Sequence, residues 1–226
     1  LPICDATPQG NHCMPMIKRL KQAFLDCGNF AFSRRRIGPN VLLEEQKAIY
    51  VPIPKVGCTT ISTVCAKILQ IDLGNASVHK AYLPCAGDIK KSRYRNHFKF
   101  AFVRNPWDRL VSCYVDKIRP DRTFTNEWFK NGVGRGLHSL RLFHAGMSFE
   151  EFVAAVEEIP DARADRHFRS QHRFLYDDEE VCIVDYIGRF EDFDMDPIFR
   201  GMNIPAINVP HKQRSTSKKA SAEYYT

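Results

Sequence analysis

Residues 48–69 read AIYVPIPKVGCTTISTVCAKIL, and this stretch decides the fold. Its first part, Ala48 to Ile53, is an apolar, β-prone run that predicts a short buried strand. The last part, residues 60–69, places its apolar side chains on one helical face, namely Ile61, Val64, Cys65, Ile68 and Leu69. A tight loop at residues 54–59 joins the two parts, so the stretch predicts a strand, a loop and a helix in succession.

The same order of elements recurs further along the chain. Phe98–Val103 predicts a second strand, and Pro106 suits the first turn of the next helix because its missing N–H costs nothing there. Val181–Ile187 predicts a third strand, while Ser148 and Glu151 form a capping box that predicts a helix start. Strands alternating with helices favour an α/β fold with a mainly parallel central sheet flanked by helices. Ligands in such folds bind beyond the carboxyl ends of the strands, where both tight loops open.

The length of 226 residues suits one sizeable domain. We predict an irregular N-terminal extension at residues 1–40 and the folded domain at residues 41–226. No part of the chain approaches the roughly eighteen consecutive apolar residues needed to span a membrane. Because the sequence begins at Leu1 rather than at Met, we expect a longer precursor with an upstream anchor or signal segment.

The chain is basic, with a net charge of +7 and a pI near 9.0. Such a balance favours an anionic partner, for example a nucleotide, an acidic glycan, a nucleic acid or a membrane surface. A well-solvated basic surface explains the same charge equally well. The charge alone therefore selects no partner.

The eight cysteines form no C-x-x-C pair, which argues against a zinc ribbon or a thioredoxin-type motif. We expect reduced thiols at the positions within the loop and helices described above, namely Cys58, Cys65 and Cys113. In an oxidising compartment, disulfide bonds could form between the cysteines in loop-like stretches, namely Cys4, Cys13, Cys27 and Cys85. The sequon at residues 75–77 weakly favours the secretory pathway.

The loop at residues 55–60 combines a cation, a glycine and two hydroxyl groups at a helix start. Backbone N–H groups and the helix dipole attract an anion there, and Lys55 adds a mobile positive charge. Gly57 lets the backbone approach a ligand closely, and Thr59 or Thr60 can donate a hydroxyl hydrogen bond. The G-x-x-x-x-G-K-[ST] motif is absent, so an ordinary strand-to-helix turn remains the alternative to phosphate binding.

The exit of the second strand carries Arg104, and Ser112 follows on the next helix. An arginine fork and a serine hydroxyl would suit a second phosphate group. Each residue also has an ordinary interpretation, since Arg104 could pair with a nearby aspartate and a serine is unremarkable in a helix.

Taken together, residues 54–59 (PKVGCT) and 102–114 (FVRNPWDRLVSCY) resemble the two nucleotide-binding motifs of the Golgi carbohydrate sulfotransferases. The likeness is greatest to the group with the chondroitin 4-O-sulfotransferases and the HNK-1 sulfotransferase, and it extends more distantly to heparan sulfate 2-O-sulfotransferase. Residues 184–191 resemble that group's YDxVGKxE block, and residues 212–226 resemble its KSTxxT stretch. The resemblance runs from about Ile49 to the end of the chain.

This resemblance implies a P-loop-NTPase-like parallel sheet and the donor PAPS (3′-phosphoadenosine 5′-phosphosulfate), with PAP as product. Residue by residue, it assigns the donor's 5′-phosphosulfate to Lys55, Val56, Gly57, Cys58, Thr59 and Thr60. It assigns the 3′-phosphate to Arg104 and Ser112, and its later blocks add Arg189, Arg214 and Ser215. The chain departs from the pattern at three neighbouring positions, because Thr60 replaces a frequent Asn and Ile61-Ser62 replaces a Trp-Lys pair. It also stops at Thr226, where we expect relatives to continue through another helix.

Sulfuryl transfer is an in-line displacement that depends on positioning and electrostatics. We expect Lys55 to stabilise charge on the leaving phosphate oxygen, and a general base to take the proton of the acceptor hydroxyl. The first candidate base is His167, because residues 165–168 resemble the family's NEHW segment. The second is His79, because a histidine precedes the second strand in the heparan 2-O relative. A Glu or Asp base stays open, and the reaction needs no metal.

We therefore predict a sulfotransferase acting on a carbohydrate hydroxyl, and the basic clusters fit an acidic glycan. A nucleotide-dependent phosphotransferase would need carboxylates for Mg²⁺ and a fuller Walker loop. A non-enzymatic module for heparin-like glycans or nucleic acid would leave the two strand-loop-helix units unexplained, so we expect no nucleic-acid partner. The expected location is the Golgi lumen, with membrane attachment only through an anchor outside this chain, and a bacterial cytoplasmic relative is the alternative. The oligomeric state is left open.

Overall fold

A computed structural model of the protein describes residues 40–74, 77–78, 81–209 and 221–225. The extension predicted for residues 1–40 lies outside the described residues except for Asn40, which begins the first strand. Three predicted site residues also lie outside them, namely His79, Arg214 and Ser215.

The described chain alternates short strands with helices. The strands are β1 (Asn40–Leu43), β2 (Ala48–Val51), β3 (Cys85–Ala86), β4 (Phe98–Val103), β5 (Phe129–Lys130), β6 (Val133–Gly134) and β7 (Tyr186–Arg189). The helices are α1 (Cys58–Ile68), α2 (Pro106–Lys117), α3 (Arg135–His138), α4 (Phe149–Glu157), α5 (His172–Leu175) and α6 (Asp196–Gly201). Short 3₁₀ turns occur at Ser92–Tyr94, Asp161–Arg163 and Ser221–Tyr224.

Five strands form the central sheet in the order β3-β1-β2-β4-β7. Strands β2, β4 and β7 run parallel, and Val51 lies opposite Ala101 while Val103 lies opposite Arg189. The predicted α/β fold with a parallel centre is therefore confirmed in its coarse form. Strand β1 pairs antiparallel with both β2 and β3, so one edge of the sheet departs from the parallel arrangement.

The third strand begins later than predicted. Val181–Ile187 was the expected span, but β7 covers Tyr186–Arg189. The start of the expected span is held away from the sheet, because Cys182 pairs with Tyr176 in an isolated bridge. The turn before it is tied by Asp177, whose side chain accepts the N–H of Val181 at 2.9 Å.

Two helices start where local chemistry predicts. The side chain of Asn105 accepts the N–H of Trp107 at 2.9 Å, with Pro106 in the first turn of α2. Ser148 and Glu151 form the expected capping box before α4. Both starts rest on contacts within three residues, which is why the sequence alone predicts them.

The described residues form two apolar cores, and helix α2 belongs to the second. One core surrounds the sheet and includes β2, β4 and α1. The other joins α2 to α4 and the segment between them, and Tyr225 donates its hydroxyl hydrogen to the Trp107 carbonyl of α2 at 2.8 Å. In the parts of the chain that the structure describes, no helix combines the length and apolar character that crossing a bilayer requires.

Candidate active site

The loop after β2 has a constrained backbone. Lys55 has φ 70° and Gly57 has φ 67°, so both residues occupy the left-handed region. A lysine rarely adopts this conformation without support from its surroundings. The side chain between them, Val56, is only 1% exposed and lies in the sheet core, so only its backbone can face a ligand. The buried side chain of Val56 thus anchors the loop in the core, and the left-handed backbone at Lys55 and Gly57 bends the chain on either side of it.

Gly57 is required by a close contact as well as by its φ angle. A Cβ at this position would lie 2.5 Å from Cε2 of Phe190, the residue that follows β7. The guanidinium of Arg104 lies over the same ring, 5.2 Å from its centroid. The loops after β2, β4 and β7 therefore meet at one point beyond the carboxyl ends of the parallel strands. Open α/β sheets bind their ligands at this end of the strands.

Arg104 is held by hydrogen bonds to two other segments. Its Nη1 donates to the carbonyl oxygen of Lys55 at 3.3 Å. Its backbone N–H donates to Oε1 of Gln171 at 2.9 Å, and Nε2 of Gln171 donates to its carbonyl at 2.7 Å. Burial lowers the pKa of Arg104, and the negative charges of Asp108 and Glu191 partly offset that effect. None of the ion pairs between described residues involves Arg104, so the aspartate partner considered above is not found.

The other predicted donor residues differ in their elements and in their exposure. Cys58, Thr59 and Thr60 form the first turn of α1, and all three are half-buried. Ser112 is half-buried on α2. Arg189 is exposed at the end of β7.

The amine of Lys55 forms an ion pair that sequence reasoning missed. Its Nζ lies 3.1 Å from Oδ2 of Asp116, and Nζ of Lys117 lies 3.0 Å from the same oxygen. Burial alone would raise the pKa of Asp116, but the two ammonium groups outweigh it and lower the pKa to about 2. Asp116 therefore stays ionised and shares its charge between two lysines. The sequence carries no signal for this pair, because the contact depends on how α2 packs against the loop after β2.

His167 forms a pair with Asp165. Nδ1 of the imidazole lies 2.6 Å from Oδ1 of the carboxylate. Burial lowers the pKa of His167, and Lys117 adds to that effect while Asp165 opposes it. Burial would raise the pKa of Asp165, but its hydrogen bond to His167 outweighs this and keeps the pKa below its usual range. Because the carboxylate is ionised, Nδ1 carries the shared hydrogen and Nε2 carries the lone pair.

The two ion pairs lie in one region. The charge of Lys117 acts on both His167 and Asp165, and Lys117 shares Asp116 with Lys55. Burial raises the pKa of the Cys113 thiol to about 12, and the charges of Lys55, Asp165 and Lys117 also act on this thiol. The structure thus brings the first predicted base close to the predicted donor lysine.

A family model described as "Sulfotransferase family" matches residues 41–226, which is most of the chain. The chain belongs to the sulfotransferase family. This membership confirms the resemblance that residues 54–59 and 102–114 indicate.

Curated relatives of this sulfotransferase carry related names. It is 28% identical over 185 residues to carbohydrate sulfotransferase 14 of Mus musculus, covering 72% of this chain and 46% of the relative. It is 22% identical over 225 residues to carbohydrate sulfotransferase 8 of Homo sapiens, and this match covers 85% of this chain and 52% of the relative. It is 26% identical over 200 residues to carbohydrate sulfotransferase 11 of Rattus norvegicus, and this match covers 74% of this chain and 55% of the relative. The chain therefore spans about half the length of these relatives, and no solved structure matches it.

A buried arginine connects the donor loop of this sulfotransferase to the loop of His167. Nε of Arg109 donates to the Pro54 carbonyl at 2.9 Å, and its two Nη atoms donate to the Arg169 and Arg166 carbonyls at 2.8 and 3.0 Å. The side chain is 3% exposed, and burial lowers its pKa to about 10. Sequence reasoning placed Arg109 within the second motif without a role. In the structure it fixes the two halves of the site relative to each other.

The described cysteines are free thiols, namely Cys58, Cys65, Cys85, Cys113 and Cys182. Cys65 and Cys113 are buried as expected, and burial raises the pKa of each to about 12. Cys85, which was open to pairing, is not in a disulfide with another described cysteine, and the first three cysteines of the sequence lie outside the described residues. Within those same residues, no three His, Cys, Asp or Glu side chains are grouped to hold a metal ion.

Proposed function

We propose that this protein is a PAPS-dependent sulfotransferase that moves a sulfuryl group to a hydroxyl of a carbohydrate acceptor. Family membership and relatives named carbohydrate sulfotransferases support the proposal. The donor, the acceptor and a location in the Golgi lumen follow from the family resemblance, and the geometry of the site supports the donor assignment.

One observation carries the donor assignment, namely the hydrogen bond from Arg104 to the Lys55 carbonyl. This bond joins the loops that follow β2 and β4 at one edge of the sheet, which supports two neighbouring anion sites there. PAPS carries phosphate groups on both its 3′ and 5′ oxygens, so one molecule has anionic groups for both sites. Gly57 lets the ring of Phe190 pack directly on the loop after β2, so the loop after β7 closes against the same edge. The residues present therefore fit a doubly phosphorylated adenosine.

Within this site, Lys55 would act on the leaving group. Its ammonium would stabilise the negative charge that develops on the 5′-phosphate oxygen, which is the largest single effect available to such a reaction. Asp116 holds this amine through its ion pair, and Lys117 shares the same carboxylate oxygen. Donor oxygens would then compete with the Asp116 carboxylate for the same ammonium.

His167 would take the proton of the acceptor hydroxyl. Its lowered pKa keeps the imidazole neutral near pH 7, and Asp165 holds the tautomer with the lone pair on Nε2. The pair would then stabilise the imidazolium that forms when the proton is taken. His79, the second candidate, lies outside the described residues, so the assignment to His167 rests on this pairing.

The deciding experiment is transfer of labelled sulfate from PAPS to a panel of carbohydrates, with PAP binding measured in the presence and absence of Mg²⁺. We expect micromolar or tighter PAP binding that Mg²⁺ does not change, together with transfer to at least one glycan. Binding of ATP with Mg²⁺ but not of PAP would instead indicate a phosphotransferase. Binding of polyanions without any nucleotide would indicate a non-enzymatic module.

Arg104→Ala is expected to weaken PAP binding by about tenfold to a hundredfold, because a charged hydrogen bond contributes roughly 1.5–3 kcal/mol. Isothermal titration with PAP measures the change. Arg200→Ala, at an exposed arginine in the last turn of α6, is the matched control and should bind PAP as the parent does. Parent-like affinity in the Arg104 variant would show that the second phosphate binds elsewhere.

The pH dependence of transfer follows from the direction of the His167 shift. A general base works when it is deprotonated, so kcat/KM should fall as the pH drops through the pKa of His167. That pKa lies below the ordinary 6.5, because burial disfavours the imidazolium. We therefore expect the acidic limb of the pH–rate profile to have its midpoint below 6.5 and activity to be level above it. A midpoint well above 6.5 would contradict the assignment.

A further inference from the structure

The segment between α2 and α4 presents an exposed tryptophan. The indole of Trp128 is 55% exposed. The other tryptophan, Trp107, instead packs edge-on against Tyr225 with ring centroids 5.6 Å apart. A single exposed aromatic residue is common on protein surfaces. The surroundings of Trp128, however, are built in a way that favours a ligand.

The turn that carries Trp128 is fixed by its neighbours. Oδ1 of Asn126 accepts the N–H groups of Trp128 and Phe129 at 2.8 and 3.0 Å. Phe129 is buried, and its ring lies under the guanidinium of Arg119, 4.7 Å from the centroid. The indole therefore stands on an ordered base, so little conformational entropy is lost when a ligand stacks on it.

Arg135 is held beside this indole. Its backbone N–H donates to the Trp128 carbonyl at 2.9 Å. Its Nε and Nη2 donate to the Asn126 carbonyl at 3.3 and 3.0 Å. A guanidinium has five N–H groups, so these two bonds orient the exposed side chain and leave donors that can face a ligand. We call Asn126, Trp128 and Arg135 together the Trp128 platform.

The segment around the platform is strongly basic. Residues 117–144 contain six Lys and Arg but two Asp and Glu, so this short stretch contributes +4 to the chain's net charge of +7. Its exposed cations include Arg122, Lys130 and Arg141. Concentrated positive charge of this kind attracts an anionic ligand and increases its rate of association.

The platform also adjoins the candidate active site. Arg135 lies between two glycines that are packed against site residues. A Cβ on Gly134 would lie 2.7 Å from Cδ of Lys117, and a Cβ on Gly136 would overlap the carboxylate of Asp165. The backbone that carries Arg135 therefore packs directly against Lys117 and Asp165 of the candidate active site.

We propose that the Trp128 platform is an acceptor subsite for an anionic sugar residue. The apolar face of the pyranose ring stacks on the indole of Trp128, and the sugar carboxylate pairs with the planar fork of Arg135. The inference rests on the proposed function and deepens it, because it assigns acceptor binding to two residues, Trp128 and Arg135. Tryptophan and arginine are also the residue types that most often dominate binding energy at interfaces.

Isothermal titration of the full chain, saturated with PAP, tests this subsite. The probes are an oligosaccharide of alternating hexuronate and N-acetylhexosamine, and the same oligosaccharide with its carboxylates reduced to alcohols. We expect Trp128→Ala to weaken binding of the acidic oligosaccharide about tenfold, which corresponds to roughly 1.4 kcal/mol. Arg135→Gln should weaken binding of the acidic oligosaccharide to a similar extent. Its affinity for the reduced oligosaccharide should equal that of the parent. PAP affinity should stay constant in both variants.

Two exposed residues away from the site provide matched controls. Tyr82, 88% exposed, precedes β3 at the edge of the sheet, and Arg95 precedes β4 at its amino end. Tyr82→Ala and Arg95→Gln should therefore bind both oligosaccharides as the parent does.

The outcomes separate the subsite from the proposed function. Equal affinity of the parent for the acidic and reduced oligosaccharides, or unchanged affinity in Trp128→Ala, would overturn the subsite even if the protein transfers sulfate. A change of oligomeric state in Trp128→Ala, seen by sedimentation without a change in affinity, would overturn it in favour of a second copy of the chain. The expected affinity pattern in a protein that transfers no sulfate from PAPS would support the subsite and refute the proposed function.

Discussion

Lys55→Ala is expected to lower kcat for sulfuryl transfer by about 10²- to 10³-fold, the usual cost of removing one group that stabilises developing charge. The ammonium is held at the site by Asp116, 3.1 Å away, so its removal takes away a positioned charge rather than a mobile one. Because Lys55 acts mainly on the leaving group, kcat should fall more than PAP affinity does. Single-turnover transfer with saturating PAPS measures the effect on chemistry directly.

The matched control for this variant is Lys90→Ala. Lys90 also lies near an aspartate, with its Nζ 3.9 Å from Oδ2 of Asp177, but it is an exposed residue outside the site. Its removal should leave kcat unchanged. If Lys55→Ala kept parent-like turnover while its fold was intact, charge stabilisation would have to come from another cation, and Lys117 would be the first to test.

His167→Ala is expected to lower kcat by about 10²- to 10⁴-fold, the range that general acid–base catalysis contributes. PAP affinity should stay near that of the parent, because the imidazole is paired with Asp165 and not with a donor-loop residue. Steady-state kinetics together with PAP titration separate the two effects. The loss should be smaller at high pH, where hydroxide and solvent compete better as proton acceptors.

A second histidine–carboxylate pair provides the control. Nε2 of His172 lies 2.8 Å from Oε2 of Glu180 on an exposed surface, so His172→Ala removes a similar contact outside the site. The kcat of His172→Ala should equal that of the parent. Parent-like turnover in His167→Ala combined with a large loss in His79→Ala would move the base to the alternative histidine.

The parts of the fold that the sequence predicts are those that depend on neighbouring residues. The strand, loop and helix of residues 48–69 and the helix start at Pro106 follow from apolar spacing and from caps within a few positions. The antiparallel edge was not predicted, because the pairing of β1 with β3 joins residues far apart in the sequence. The late start of β7 was missed for a different reason, since the short-range bridge between Tyr176 and Cys182 cannot be inferred from an apolar run.

The residues of the candidate site also fall into those that the sequence predicts and those that it does not. Lys55, Gly57 and Arg104 could be proposed from residue type and position in their loops. Asp116 and Phe190 could not, because their contacts with the donor loop depend on how α2 and β7 pack in the folded chain. The Trp128 platform was also missed, since nothing in the sequence distinguishes an exposed tryptophan on a fixed turn from one in the core.

The proposed donor pocket is assembled from segments that lie far apart along the chain. Arg104 reaches the Lys55 carbonyl across 49 positions and Gln171 across 67, and Phe190 closes over Gly57 from beyond the last strand. No early fragment of a growing polypeptide can contain the pocket, because its walls meet only after β7 has docked. If PAPS binds there as proposed, its binding is coupled to completion of the fold, and the bound donor would stabilise the finished molecule against every partly folded one by mass action.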